Sequence, residues 1–339
     1  MGLDKKLLII YTREKLQSML NIGITLGDPA GIGPEIVAKS INSIKNRNFK
    51  IILFGDRENF QETLRQCRLS MGGTKNIDFI NTGTDGRIEQ GRVTAQAGRI
   101  AYNSIRSAVE FAMAGRIDAL ATAPINKEAI IKAGSEYIDH TSMLKGLTNS
   151  RFITTLFEVK KLRITFLSKH VSLLDAVKFV EKDNVYAAIV DTCKSMKLLG
   201  FPDPEIAVAA LNPHAGESGM FGREEIDEII PAVEKAKETM KVYGPIPADS
   251  VFYQAANGKY DVVLSLYHDQ GHIAAKTYDF KNTVSMNIGL PFLRTSVDHG
   301  TAFDIAGQNK ADYVSMKAAI MTAARYAPGY RKRFRALKF

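Results

Sequence analysis

Short apolar runs, many rich in β-branched residues, recur along the chain and alternate with longer stretches of helical periodicity. Ile22–Leu26, Ile51–Phe54, Ala119–Ala121, Ile164–Leu167, Ile206–Leu211, Val262–Leu266 and Val284–Ile288 read as strands. Between several of them, Ala97–Ala114, Asp175–Leu199 and Glu224–Val242 have the spacing of amphipathic helices. Apolar strands that alternate with helices predict an α/β chain, with parallel sheets covered by helices on both faces. The residues before Ile22 read as an appended helix or arm. No internal repeat, low-complexity tract or Ser/Pro-rich linker interrupts the pattern.

The polar punctuation of this pattern is informative, because ligands of such folds gather at the carboxyl ends of strands. Gly27-Asp28-Pro29-Ala30-Gly31-Ile32-Gly33-Pro34-Glu35 follows the first strand, and Ala123-Pro124-Ile125-Asn126-Lys127 another. Asn212-Pro213-His214-Ala215-Gly216-Glu217 and Tyr267-His268-Asp269-Gln270-Gly271 also sit directly after apolar runs. The glycine-rich turn either cradles an anion with outward N–H groups or is a plain turn with Pro34 in the first helical turn. It is neither GxGxxG nor a P-loop.

His170, His214 and His268 each lie just beyond a predicted strand in polar surroundings. Any one alone is more often a hydrogen-bonded structural residue. Three in equivalent positions suit a divalent cation, which takes about three protein ligands and keeps places open for substrate. Asp269 and Asp249 are placed to act as base or as an anchor behind a ligand. Lys276, Arg294 and the pair His140-Thr141 offer donors for a phosphate or carboxylate. The Gly-punctuated stretch Asp298–Gly307 either binds a nucleotide or connects two elements.

Composition adds limits. The chain has 339 residues, 45% apolar and 24% charged, with a net charge of +9. That length predicts two domains or one large α/β domain divided internally. No run approaches the roughly 20 apolar residues of a membrane span, and Leu7–Tyr11 is too short for a signal-peptide core. Cys67 and Cys193 stand alone, away from any CxxC, which points to a reducing cytoplasm. The basic C-terminal run Arg331–Lys338 reads as a solvated helix end. No helix-turn-helix, zinc-finger or RNA-binding pattern accompanies it, so neither nucleic acid nor membrane is an expected partner.

The glycine-rich turn from Ile24 to Glu35, Asn212–Glu217, Tyr267–Gly271 and Gly289-Leu290-Pro291-Phe292-Leu293-Arg294-Thr295-Ser296-Val297-Asp298-His299-Gly300-Thr301-Ala302 together resemble the 4-hydroxythreonine-4-phosphate dehydrogenase (PdxA) family. The likeness runs in order from Ile22 to the C-terminal helix. The His299–Gly307 segment is also similar to the cofactor loop of isocitrate and isopropylmalate dehydrogenases. The resemblance implies two α/β/α domains of that dehydrogenase fold with the active cleft between them: residues 22–135 with 300–339, and 136–299, after an extension of 1–21. It implies a homodimer with shared sites and His170, His214 and His268 as metal ligands, His268 reaching across from the other subunit. His140, Thr141, Lys276, Ser285 and Arg294 would hold the phosphorylated hydroxy-acid substrate, with Asp249 and Asp269 as the catalytic carboxylates. Asp298, Gly300, Thr301, Asp304 and Gly307 would serve NAD or NADP, and the metal would be one divalent ion: Zn, Co, Mn, Ni or Mg.

The implied reaction is oxidation and decarboxylation of 4-hydroxythreonine 4-phosphate to 3-amino-2-oxopropyl phosphate, in pyridoxal phosphate synthesis. The chain departs from the family in three places, the last of which points to an alternative. Ser285 stands where the family has a substrate-binding Asn, and Asn287, two residues on and on the same strand face, is placed to supply that amide. Asp139 replaces the Gly before His140-Thr141. His272 and the Phe303-Asp304 pair are closer to the branch that oxidises D-threonate or D-erythronate 4-phosphate to dihydroxyacetone phosphate. Outside this class, a metal-dependent phosphohydrolase would also use the histidines but has no need of Asp298–Gly307, and a non-catalytic nucleotide-binding protein has no use for the histidines.

Overall fold

A computed structural model describes residues 19–45, 47–70, 76–83 and 86–337; the appended arm expected before Ile22 lies almost wholly outside them. The strands are β1 (Leu20–Thr25), β2 (Phe49–Gly55), β3 (Ile77–Asn81), β4 (Ala119–Thr122), β5 (Thr154–Val159), β6 (Leu162–Phe166), β7 (Ile206–Ala209), β8 (Val242–Ile246), β9 (Val262–Ser265), β10 (Val284–Ile288) and β11 (Leu293–Ser296). The helices are α1 (Gly33–Ser43), α2 (Arg57–Gln66), α3 (Ala95–Met113), α4 (Lys127–Lys132), α5 (His140–Thr148), α6 (Leu173–Lys178), α7 (Lys182–Leu199), α8 (Ile230–Lys237), α9 (Ala248–Ala256), α10 (His268–Asp279), α11 (Val314–Tyr326) and α12 (Tyr330–Ala336).

All the strands join one sheet in the order β3-β2-β1-β4-β11-β10-β5-β6-β9-β7-β8. The expected α/β class is present, but the sheet is mixed where the sequence pattern predicts parallel pairing. β10 runs antiparallel to both β11 and β5, and β5 is antiparallel to β6, while both flanks are parallel. A β11-to-β10 neighbour pair joined by a four-residue connection can only be antiparallel, since a parallel return needs a crossover of a dozen residues or more. This places the antiparallel strands at the middle of the sheet, beside the residues discussed below.

The helices start where the sequence supplies an oxygen for a free N–H. Asp56, Thr94, Asn126 and Asp139 cap α2, α3, α4 and α5 through their side chains. Asp139 makes a full capping box with Ser142. The single helix expected over Asp175–Leu199 is two, because the chain breaks at Val180-Glu181 between α6 and α7. The one expected over Glu224–Val242 ends at Lys237, and Val242 opens β8. Apolar residues from one sheet face and from α1, α7, α8 and α11 make the largest core cluster, and two smaller clusters cover the opposite face. Among the described residues no helix is long and apolar enough to cross a membrane.

Candidate active site

The glycine-rich turn after β1 is closed on itself. Asp28 N–H donates to the Pro124 carbonyl, Ala30 N–H to Asp28 Oδ1, Gly31 N–H to the Asp28 carbonyl and Ile32 N–H to the Thr301 carbonyl. With these four donors used internally, this part of the turn serves packing. A side chain at Gly27 would meet the Pro124 carbonyl at 2.2 Å, and one at Gly31 would meet Thr301. Glycine is what lets the turn, the Pro124 segment and the Asp298–Gly307 segment touch.

Asp28 is fully buried within this turn, and its Oδ2 has no hydrogen-bond partner. Burial pushes its carboxyl from 3.8 up to about 6, with the amides of Ala30 and Asn126 pulling the other way. The folded chain therefore holds this proton more tightly than the unfolded chain. That contribution to stability is fully present below the ordinary pKa and is lost as pH rises through about 6. Asp28→Asn keeps an acceptor for Ala30 and removes the charge. It is expected to add up to about 3 kcal/mol of stability above neutral pH and almost nothing near pH 4. Urea unfolding at the two pH values checks this; equal effects at both would show that charge is not the cause.

His170, after β6, and His268, at the start of α10, line one cavity of about 240 Å³ with Lys169, Tyr267 and Asp269. Their ring centroids are 5.9 Å apart. His268 Nδ1 lies 2.6 Å from Asp269 Oδ1, and His272, one turn on, stacks against it at 3.7 Å between centroids. Phe157 and Phe166 pack on the other side of His272, whose pKa burial lowers to about 4, with His268 adding to the effect. His272 is therefore a neutral plate behind His268.

His214 is held differently. Residues 214–218 all have positive φ, a left-handed turn that includes four non-glycine residues, although this conformation costs about 1–2 kcal/mol per such residue. The buried Glu225 carboxylate holds the turn's entry: Oε1 accepts from Leu211 and Asn212 N–H, and Oε2 from the Asn212 side chain. The strain leaves His214 67% exposed, with Glu217 3.5 Å away. Helix α9, whose first turn carries the exposed Asp249, packs against this turn. Among the described residues no group of three His, Cys, Asp or Glu comes together to hold a metal. His170 and His268 are brought to one cavity, and His214 is not gathered with them.

The phosphate-type donors converge more closely. Arg294 on β11 is only 5% exposed. Its Nη1 donates to Asn287 Oδ1 at 2.6 Å, and Nε and Nη2 donate to Thr122 Oγ1 at 3.0 and 2.7 Å. Burial brings its pKa down to about 9, against the pull of Asp139, which leaves it charged at neutral pH. His140, beside it at the start of α5, has a buried Nε2 without a partner. Burial, then the Arg294 charge, holds that imidazole well below its usual pKa, so it is neutral. Thr141 follows it in the first turn of α5. Ser285 and Asn287 share a strand face, and the buried Asn287 is the one whose side chain engages Arg294. Lys276 lies apart, its Nζ 2.6 Å from Asp298 Oδ2, in a cavity of about 440 Å³ with His268, Asp269 and His272.

The Asp298–Gly307 segment docks on the glycine-rich turn through Thr301, Phe303 and the bond from Ile32. Gly300 borders open space, Asp304 opens a short 3₁₀ turn, and Gly307 faces Gln90 and Gln66. Those two glutamines also line a polar cavity of about 470 Å³ with Asp56, Asn59 and Glu62. Sequence reasoning missed Lys169, Thr155 and Thr122. Thr155 lies on β5, a strand that opens on two threonines and carries a glutamate instead of an apolar run, and Lys169 differs from any surface lysine only once the fold is known.

A family model described as "Pyridoxal phosphate biosynthetic protein PdxA" matches residues 30–323. A Halalkalibacterium halodurans protein named "Putative D-threonate 4-phosphate dehydrogenase" is 46% identical over 325 residues, 91% of this chain and 97% of its own. A Symbiobacterium thermophilum protein of the same name is 46% identical over 327 residues, 92% and 98% of the two chains. The crystal structure of 4-hydroxythreonine-4-phosphate dehydrogenase from Klebsiella pneumoniae superposes with a TM-score of 0.83 at 36% identity, covering 91% of this chain and all of that one. A terephthalate 1,2-cis-dihydrodiol dehydrogenase from Burkholderia xenovorans gives 0.63 at 29% identity, covering 90% and 98%. With this likeness running across nearly the whole chain, the chain belongs to the PdxA family of dehydrogenases.

Proposed function

We propose that the enzyme oxidises and decarboxylates a four-carbon 4-phosphorylated sugar acid, D-threonate or D-erythronate 4-phosphate, releasing dihydroxyacetone phosphate and reducing NAD or NADP. The observation that carries this is the buried, charged Arg294, whose bonds go to neutral oxygens and which keeps N–H donors free beside an unpartnered His140 nitrogen. Such a donor set suits a dianionic phosphate. The names of the similar proteins from H. halodurans and S. thermophilum favour the sugar acid. The amino-acid substrate, 4-hydroxythreonine 4-phosphate, is the second reading, favoured by the K. pneumoniae neighbour.

The donors around the first cavity fit a divalent metal in kind. His268 has one ring nitrogen against Asp269, the pattern of an imidazole ligand oriented by a carboxylate. In number they fall one short within that cavity, where His170 and His268 of one chain meet without His214; the set of His170, His214 and His268, completed in a homodimer with His268 crossing from a second copy, rests on the family resemblance. Apolar Val171, Leu173, Ile273 and Phe280 are exposed around the cavities that hold these residues, a surface suited to a second copy. When bound, the metal would supply Lewis acidity toward the substrate hydroxyl and the developing enolate. Asp249 or Asp269 would take the hydroxyl proton, Arg294 with His140 and Thr141 would fix the phosphate so that the reacting carbon is positioned, and Lys276 would hold the substrate from the His268 side. Asp298, Gly300, Thr301, Asp304 and Gly307 would hold the nucleotide.

The test is NADH or NADPH formation by metal-loaded enzyme with D-threonate, D-erythronate and 4-hydroxythreonine 4-phosphates side by side. A sugar acid is expected to win by at least about tenfold in kcat/KM, a difference of some 1.4 kcal/mol. Preference for the amino acid would move the enzyme to the second reading, and turnover of none of the three would overturn both.

A further inference from the structure

Lys169 sits between His170 and the sheet, outside every role assigned above. Its Nζ donates to Thr155 Oγ1 at 2.6 Å, and no carboxylate among the described residues lies within ion-pair distance of it. An ammonium has three donors, so two remain. The side chain lines the cavity that holds His170 and His268, and also a second one of about 300 Å³ lined by Thr155, Asn184 and Asp191.

Strand register ties this lysine to the phosphate-type donors. Thr155 on β5 pairs directly with Asn287 on β10, and Asn287 pairs with Arg294 on β11. Directly opposed residues of antiparallel strands present their side chains on one face. Lys169, Thr155, Asn287, Arg294 and Thr122 therefore form one polar row, with a cation toward each end. Thr155 and Arg294 are two interstrand spacings apart, about 10 Å, the scale of a four-carbon chain that bears a phosphate. A substrate with its phosphate at Arg294 and His140 puts its carboxylate end toward Lys169 and the histidine cavity. Asp139, the acid whose field reaches both cations, has its Oδ1 already occupied by the Ser142 N–H.

We propose that Lys169 is a specificity-determining residue that selects a 2-hydroxy acid over the corresponding 2-amino acid. At neutral pH the two substrates differ at C2, where one carries a hydroxyl and the other an ammonium. A fixed lysine ammonium donates to the hydroxyl oxygen and the neighbouring carboxylate. It repels a second ammonium at the same place and leaves it without an acceptor. The selection is electrostatic and works by exclusion as much as by attraction.

This inference rests on the substrate class proposed above, and equilibrium binding without nucleotide separates the two. Binding of D-threonate 4-phosphate and of 4-hydroxythreonine 4-phosphate to the metal-loaded dimer is measured by calorimetry for wild type, Lys169→Met and Thr155→Val. Wild type is expected to favour the hydroxy acid, and Lys169→Met to lose about 10- to 100-fold for it with no loss for the amino acid, the range expected for one charged hydrogen bond. Thr155→Val, which frees the lysine from its anchor, should erode the ratio by a smaller factor, and it decides the matter if Lys169→Met does not fold. An equal fall for both ligands, or an unchanged ratio in the folded variants, would overturn the proposal. A Lys169-dependent preference without turnover of either phosphate would keep the proposal and remove the proposed reaction. Turnover of the sugar acid with an unchanged ratio would do the reverse.

Discussion

Arg294→Met is expected to lower kcat/KM by about a thousandfold, close to 4 kcal/mol of lost transition-state binding. Three of the five guanidinium N–H donors bond Thr122 and Asn287, which fixes the plane of the group and aims the remainder. A planar fork of this kind binds a phosphate through two parallel bonds, and a lysine cannot both keep the Thr122 and Asn287 bonds and do so. Arg294→Lys should therefore retain only a small part of the lost activity. Stability is expected to fall by about 1–3 kcal/mol, because the buried Asn287 Oδ1 and Thr122 Oγ1 lose their donor, although no carboxylate is left unpaired and methionine fills much of the volume. Steady-state kinetics with a thermal melt checks both; a near wild-type KM would place the substrate phosphate elsewhere.

Removing the metal is expected to abolish turnover, by more than about a thousandfold, with recovery on adding back a divalent ion. His170→Ala, His214→Ala and His268→Ala should each reproduce the loss, since each would remove one of about three protein ligands. Asp269→Asn is the finer probe. It leaves a hydrogen-bonding group beside His268 Nδ1 but withdraws the charge behind the ring, so metal affinity should fall about 10- to 100-fold. Competition with a chromophoric chelator measures this without reference to activity. Full metal affinity in all three histidine variants would end the assignment of these residues as ligands.

The three histidines proposed as metal ligands stand out in the sequence because each follows an apolar run, and a strand end is where side chains meet ligands. Their unequal placement was not. His268 gains a neutral aromatic plate in His272 only because α10 lies on Phe157 and Phe166. His214 is presented by a left-handed turn that a single glycine, Gly216, does not announce; the buried Glu225, eleven residues on, holds it. β3, β5, β8 and β11 escaped the pattern for separate reasons. β3 alternates at a sheet edge, β5 and β11 carry threonine, glutamate and arginine into the sheet, and β8 contains Gly244-Pro245.

The sequence by itself determined the α/β class, the polar clusters at the strand ends and the family, because apolar periodicity and contiguous motifs are local properties of the chain. The tertiary structure alone decided that the glycine-rich turn uses four of its N–H groups internally, that the sheet is antiparallel at its middle, and that Lys169, Thr155, Asn287 and Arg294 share one face. Each of these depends on which strands become neighbours and in what register, and a one-residue slip would turn the row to the opposite face. Thr122 and Arg294, 172 places apart along the chain, meet because β4 and β11 become neighbours, and no short-range pattern records that pairing.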